Sequence, residues 1–320
     1  MPIRRLSCLP RARCSRAGVT VAVVTTTVLA LAGCSGGASS PTDSTSDGAG
    51  ASIGSGPLYS ELPASIQQAN RVVVLSDIPS PPYEMFVSQD SREVTGLDYD
   101  LAQALGRQLG VEFTFKQTPF SGIIPALQAH QGDVIISQMS ATTERQKVLD
   151  FVQYFQDGTG IMVLKGNAEG IHGVADLCGK SVATQSGAQQ VAFVQAQSAE
   201  CTKSGKAEIT VLTLPTFPDT QLALRSGKVV AIVQDTGALS YAARTIGDGN
   251  VFEVVTPSGS PAGYNAQPGG IGVLKDNVQL TNAIQKALQT LITDGSYRQI
   301  LDKYGLASIA VDKSVIGSGS

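Results

Sequence analysis

From Arg71 to Gln234 the apolar residues switch repeatedly between a period of two and a period near 3.6, which leaves few folds open. Arg71-Val72-Val73-Val74-Leu75 reads as a short apolar strand ending at a proline-rich turn, Ser76 to Pro82. Leu101, Leu105 and Leu109 recur at helical spacing, then Val111, Phe113 and Phe115 alternate as in a strand. Ile123, Ile124 and Leu127 mark another helix before the strand Asp133-Val134-Ile135-Ile136. This β-α-β-α order predicts an α/β fold with a mostly parallel sheet flanked by helices. In such sheets ligands sit at the carboxyl ends of the strands, where Asp77 and Ser137 both fall.

A second α/β unit starts near Gly160. Val174 to Leu177 reads as a short helix and Ser181 to Ala183 as a strand, with a helix rich in Gln and Ala after Gly187. Glu208 to Leu214 and Val229 to Gln234 read as further strands, the last ending at Asp235. From Gly270 come a strand and two amphipathic helices, one lined by Leu280, Ile284, Leu288 and Leu291, the other by Tyr297, Ile300, Leu301 and Tyr304. The tail, 307–320, is expected to be loosely ordered.

The first 33 residues read as a targeting segment. Arg4, Arg5, Arg11, Arg13 and Arg16 precede a short apolar stretch, Val19 to Ala32. It ends in Leu31-Ala32-Gly33-Cys34, similar to the bacterial lipobox, in which the cysteine becomes the lipid-modified first residue of the mature protein. Residues 34–66 are expected to be a lipid-anchored linker, since Ser35 to Pro57 is almost entirely Ser, Gly, Ala, Thr, Asp and Pro. The chain has 23 Lys+Arg and 26 Asp+Glu, and removing the five signal arginines leaves 18 against 26, a net of −8. With no basic run outside the signal, nucleic acid is not an expected partner.

Cys8 and Cys14 leave with the signal and Cys34 is assigned to lipid, so Cys178 and Cys201 remain as an even pair in an oxidising compartment. A disulfide between them is predicted, the alternative being two buried free thiols. With only His130 and His172, and no cysteine or carboxylate cluster around either, neither a metal site nor a cofactor is expected.

The run Ser137-Gln138-Met139-Ser140-Ala141-Thr142-Thr143-Glu144-Arg145 follows a buried strand and is read as opening a helix near Thr142. Ser140 and Thr142 are good N-cap residues, and Arg145 adds a planar fork of donors one turn in, a combination suited to a small carboxylate. The alternative is a capped surface helix with an exposed arginine.

Gly96-Leu97-Asp98-Tyr99-Asp100-Leu101, Ile124-Pro125-Ala126-Leu127, Thr142 to Arg145, Asp150-Phe151, Leu177-Cys178-Gly179-Lys180, Gln234-Asp235 and Asp294-Gly295 to Gly305 occur in register over about residues 67 to 306. Together they resemble the extracellular solute-binding proteins of ABC importers, family 3, the branch for polar amino acids, here as a lipoprotein of actinobacterial type. The resemblance implies two lobes joined by a two-strand hinge: 67–157 plus 271–306, and 158–270. It implies an amino acid or similar zwitterion as ligand, a permease and ATPase complex as partner, a monomer, and a place on the extracellular face of the cell membrane.

The resemblance also implies roles. Arg145 would bind the ligand α-carboxylate, with Ser140 in support. Asp235 would accept from the α-ammonium, although locally it reads equally well as a helix N-cap. Phe120 and Tyr83 would wall the ligand side chain, and Asp77 would read it. Asp98 and Asp100 are expected to be structural. The chain departs from the family at Ser80, in place of an aromatic clamp, at Ala188 and Gln189, in place of two threonines, and at Gln138, in place of a smaller residue. Besides a binding protein without catalysis, the sequence admits a ligand-sensing module for a membrane receptor. It also admits an exported enzyme similar to cyclohexadienyl dehydratase, with Glu84 or Asp77 as general acid.

Overall fold

Leu62 is fully buried, and the chain is already packed ahead of it: Gly54 N–H donates to Gly110 O (2.8 Å) and Leu58 N–H to Gln108 O (2.9 Å). The fold therefore begins before residue 67, the linker end read from composition. The structure, a computed structural model, describes residues 53–88, 90–260 and 262–317; the signal segment and Cys34 lie outside them.

In chain order the elements are α1 (Ala64–Ala69), β1 (Arg71–Ser76), β2 (Met85–Phe86), β3 (Val94–Thr95), α2 (Leu97–Leu109), β4 (Glu112–Gln117), α3 (Ile123–Gln128), β5 (Val134–Ile135) and β6 (Leu149–Leu164). Then come β7 (Ser181–Gln185), α4 (Gln190–Lys203), β8 (Thr210–Leu214), α5 (Phe217–Arg225), β9 (Ala231–Asp235), α6 (Thr236–Thr245), β10 (Phe252–Val255), β11 (Tyr264–Leu274), α7 (Val278–Thr293) and α8 (Ser296–Lys303).

One sheet runs in the order β4-β1-β5-β11-β6-β9-β7-β8, with β10 also paired to β6. β4, β1 and β5 are parallel, and so are β9, β7 and β8. The long strand β6 and its antiparallel partner β11 cross between these two halves. Residues 159–162 of β6 pair with β9, so the same strand serves both lobes. Each half-sheet with its helices is one lobe of a two-lobed α/β fold.

The periodicities read in the sequence explain the packing. Leu97, Leu101, Leu105 and Leu109 of α2 are all buried, as are Leu280, Ile284, Leu288 and Leu291 of α7. Tyr297 of α8 donates from its hydroxyl to Tyr154 O (2.7 Å), tying that helix to β6.

Val174–Leu177 is the short helix expected, of 3-10 type. One local expectation fails. The tail is packed as far as it is described: Gln153 N–H donates to Val315 O (2.9 Å), Gly317 N–H to Phe151 O (3.1 Å), and Gln285 Nε2 to Ser314 O (3.0 Å). Its polarity concealed that β6 offers backbone groups for it to pair with.

Cys178 and Cys201 are disulfide-bonded, joining the turn before β7 to the end of α4 across a separation of 23 residues. Replacing both by alanine is expected to cost about 3 kcal/mol, the chain-entropy value for a loop of this size. Equilibrium urea unfolding of the two proteins checks it, and equal midpoints would show that the bridge adds nothing.

Candidate functional site

The carboxyl ends of β1, β5, β7 and β9 converge on one cleft, as the parallel half-sheets require. Ser137 follows β5, Gln185 ends β7, and Asp235 ends β9. The cleft is lined by Ser80, Phe120, Ser137, Gln138, Ser140, Arg145, Gln185, Ala188, Gln189, Gln190, Gln234 and Asp235.

No helix opens at Thr142. The loop is pinned to β11 by Ala141 N–H to Pro268 O (2.9 Å) and Gly270 N–H to Met139 O (3.0 Å). Because β6 starts at Leu149, a helix has no room, and only a 3-10 turn, Arg145–Lys147, forms. Thr142 Oγ1 still accepts from Arg145 N–H (3.3 Å). Both local readings of this segment are thus corrected, the helix start and the exposed arginine alike.

Arg145 is partly buried. Nη1 donates to Ser140 O (2.9 Å), Nη2 donates to Gly187 O (3.1 Å), and the guanidinium lies 5.3 Å from the Phe120 ring centre. Gly187 must be glycine: φ is +81°, and a Cβ there would come within 2.7 Å of Ser121 Cα. That close approach brings its carbonyl from the second lobe onto a guanidinium of the first. Burial lowers the Arg145 pKa to about 10, with Asp235 acting in the opposite sense. The group remains a cation at neutral pH.

Asp235 occupies the N-cap position of α6, yet its side chain makes no capping bond. Its Oδ1 accepts from Gln190 Nε2 (2.8 Å) and from Gln189 Nε2 (3.5 Å). Burial, followed by the negative charge of Asp157, pushes it up to about 7. Gln189 also donates to Ser140 Oγ (2.9 Å) and accepts from Gln267 Nε2, bridging the lobes.

Asp77 sits just behind the lining, 5% exposed. It accepts from Gln185 Nε2 (2.6 Å) and from Phe120 N–H (3.3 Å), while its own N–H donates to Ser137 Oγ (3.0 Å). Burial raises it to about 6. Deeper still, Asp98 accepts from Tyr154 Oη (2.6 Å) and Gln138 N–H (3.0 Å), the structural position expected of it. Burial, with Asp98 next, raises Glu84 well above the usual carboxylate range; Ser76 Oγ lies 3.0 Å from its Oε1. Asp100 pairs with Lys303 (2.6 Å) at the surface.

Six of the eight sequence-predicted residues, Phe120, Ser137, Ser140, Arg145, Gln189 and Asp235, therefore line the cleft, and Asp77 backs it. Tyr83 does not wall it. Its ring is fully buried 6.5 Å from that of Phe155, because the proline-rich turn folds inward beneath the cleft floor. Gln185 and Gln190 were missed. Gln185 ends a parallel strand, and the rule that selected Asp77 and Ser137 selects it too. Among the described residues, no group of three His, Cys, Asp or Glu side chains is placed to hold a metal.

An interlobe cleft lined by one guanidinium and one carboxylate, with a second carboxylate behind the lining, is suited to a small charged molecule. The chain belongs to the bacterial extracellular solute-binding proteins, family 3, whose family model matches residues 72–307. ABC transporter arginine-binding protein 1 of Escherichia coli (strain K12) is 26% identical over 224 residues, 70% of this chain and 86% of the relative. Arginine-binding protein ArgT of Corynebacterium glutamicum is 28% identical over 256 residues, 80% of this chain and 81% of the relative. Among solved structures, an ancestral arginine-binding protein bound to glutamine is similar with a TM-score of 0.64 and 34% identity, covering 74% of this chain and 98% of that one.

Proposed function

We propose that this protein captures a cationic α-amino acid in the interlobe cleft and delivers it to the permease and ATPase of an ABC importer, without catalysis. In this reading it acts as a monomer on the outer face of the cell membrane, anchored by lipid on Cys34. The first lobe, 67–157 plus 271–306 extended by the packed segments 53–66 and 307–317, and the second, 158–270, close about β6 and β11 as hinge. Arg145 takes the α-carboxylate, supported by Ser140, and Asp235 takes the α-ammonium. Phe120 flanks the side chain, Ser137 and Gln189 border it, and Asp77 receives its cation.

The observation that carries the proposal is the charge balance of the cleft. Arg145 is one cation, whereas Asp235 and Asp77 are two acids facing or backing the same space. A zwitterion balances one pair, and a side-chain cation balances the remaining carboxylate. The names of the relatives above, both arginine-binding proteins, support the same class.

The test is thermal unfolding with L-arginine, L-lysine, L-ornithine, L-histidine, L-glutamine and L-glutamate. A ligand at 100 times its dissociation constant adds about 2.7 kcal/mol of stability. Cationic amino acids are expected to raise the midpoint by several degrees and glutamate not at all. Selective stabilisation by glutamate, or none by any amino acid, would overturn the proposal.

A further inference from the structure

Helix α6 begins with an aspartate at its N-cap, and that aspartate does not cap it. Asp235 has the extended backbone of an N-cap residue (φ −62°, ψ 138°), and Asp is among the best capping residues. The N–H it would ordinarily take, that of Gly237, donates instead to Asp157 Oδ2 (2.9 Å). Asp157 lies on the crossing strand β6, 2% exposed, and its Oδ1 accepts from Gly158 N–H (2.8 Å). A carboxylate from the hinge strand thus reaches across to cap a helix of the second lobe. Residue 237 lets it in: a Cβ there would lie 3.1 Å from Asp157 Oδ2 and 2.5 Å from Tyr83 Oη.

We propose that Asp157 is a positioning residue for Asp235: by capping α6 from the hinge strand, it leaves the Asp235 carboxylate free to face the cleft. The proposal rests on the ammonium-binding role given to Asp235 above. Two acids divide two tasks that one N-cap aspartate would otherwise have to share. Without Asp157, the buried Gly237 N–H would lose its acceptor, and Asp235 is the carboxylate placed to replace it. It would then turn from the cleft to its own helix. A second effect follows from proximity, since the Asp157 charge holds protons on Asp235.

The test starts with the unliganded protein. Carboxyl 13C NMR titration, assigned with Asp235→Asn, is compared between wild type and Asp157→Asn. The asparagine oxygen can still accept from Gly237 N–H while the charge is gone. The groups facing Asp235 are Asp157 on β6, Arg145 on the turn before it, the Tyr83 phenol, and the neutral Gln189 and Gln190. The Asp235 midpoint, about 7 in wild type, is expected to fall in Asp157→Asn. An unchanged midpoint overturns the proposal.

Binding then separates positioning from mere structure. Asp157→Ala is expected to weaken L-arginine about thirtyfold or more, the lower range for unpairing a buried charge, and Asp157→Asn to restore most of it. The analogue lacking the α-amino group, 5-guanidinopentanoic acid, should bind both variants like wild type. Asp157→Ala added to Asp235→Asn should cost nothing further. Equal losses for both compounds, or additive losses in the double variant, would make Asp157 structural only. A wild-type protein that ignores L-arginine would sink the functional reading, while the titration would still decide the role of Asp157.

Discussion

Arg145→Ala is expected to abolish nearly all ligand affinity while leaving the unliganded protein folded. Among the described residues that line the cleft the guanidinium is the only cation, already turned inward by Ser140 O and Gly187 O at 2.9 and 3.1 Å. A carboxylate bound there gains a charge-assisted pair away from bulk water. Truncating one side of such a pair costs about 2–5 kcal/mol, roughly thirtyfold to several thousandfold in dissociation constant. The fold should survive, because Arg145 lies on a short turn and its two cleft hydrogen bonds go to backbone carbonyls. Removing the cation also leaves Asp235 without its counter-charge and pushes its pKa higher still. Arg145→Lys keeps the charge but loses the planar fork, and should fall between the two. Calorimetric titration decides the matter, and wild-type affinity in the alanine variant would show that the carboxylate binds elsewhere.

Acid should strengthen the empty protein and weaken the loaded one. Asp98 and Asp157 are each raised to about 6, chiefly by burial, as is Asp77, and Asp235 is raised to about 7. A carboxylate whose folded pKa lies above its unfolded value binds its proton more tightly when folded. Its contribution is therefore complete below about 3.9 and is lost as pH rises through 6 to 7. One such group moved from 3.8 to about 6 contributes about 3 kcal/mol across that window. The unliganded protein should accordingly unfold at a higher temperature at pH 5 than at pH 8. Ligand binding runs the other way, since an ammonium or guanidinium needs Asp235 and Asp77 ionised. Affinity should rise from pH 5 to pH 8, and binding near pH 6.5 should release protons, seen as a calorimetric enthalpy that varies with buffer ionisation heat. A stability profile flat from pH 5 to 8 would mean that these carboxylates titrate normally. An affinity flat over the same range would mean that neither Asp235 nor Asp77 meets a ligand cation.

The parts of the molecule legible in the sequence are those governed by local periodicity. The leucines of α2 and α7 bury the faces their spacing marks, and the strands β1, β4 and β5 lie parallel because helices must connect them. The carboxyl-end rule then located Ser137 and Asp77, and the two cysteines that the expected targeting segment and lipid anchor did not claim were predicted to pair, as they do. The legible features depend on which residues repeat, and repetition is written in the chain.

What the tertiary structure decided is where groups with two possible partners spend themselves. Thr142 and Arg145 look like a helix start, but pairing of residues 139–141 with β11 leaves no length for one. Tyr83 looks like a ligand wall, but the turn that carries it buries the ring against Phe155. Asp235 looks like its helix's cap, but Asp157, separated from Gly237 by 80 residues, takes that N–H. A hydrogen bond goes to whichever acceptor the fold brings within about 3 Å, and that distance is set by contacts remote in sequence.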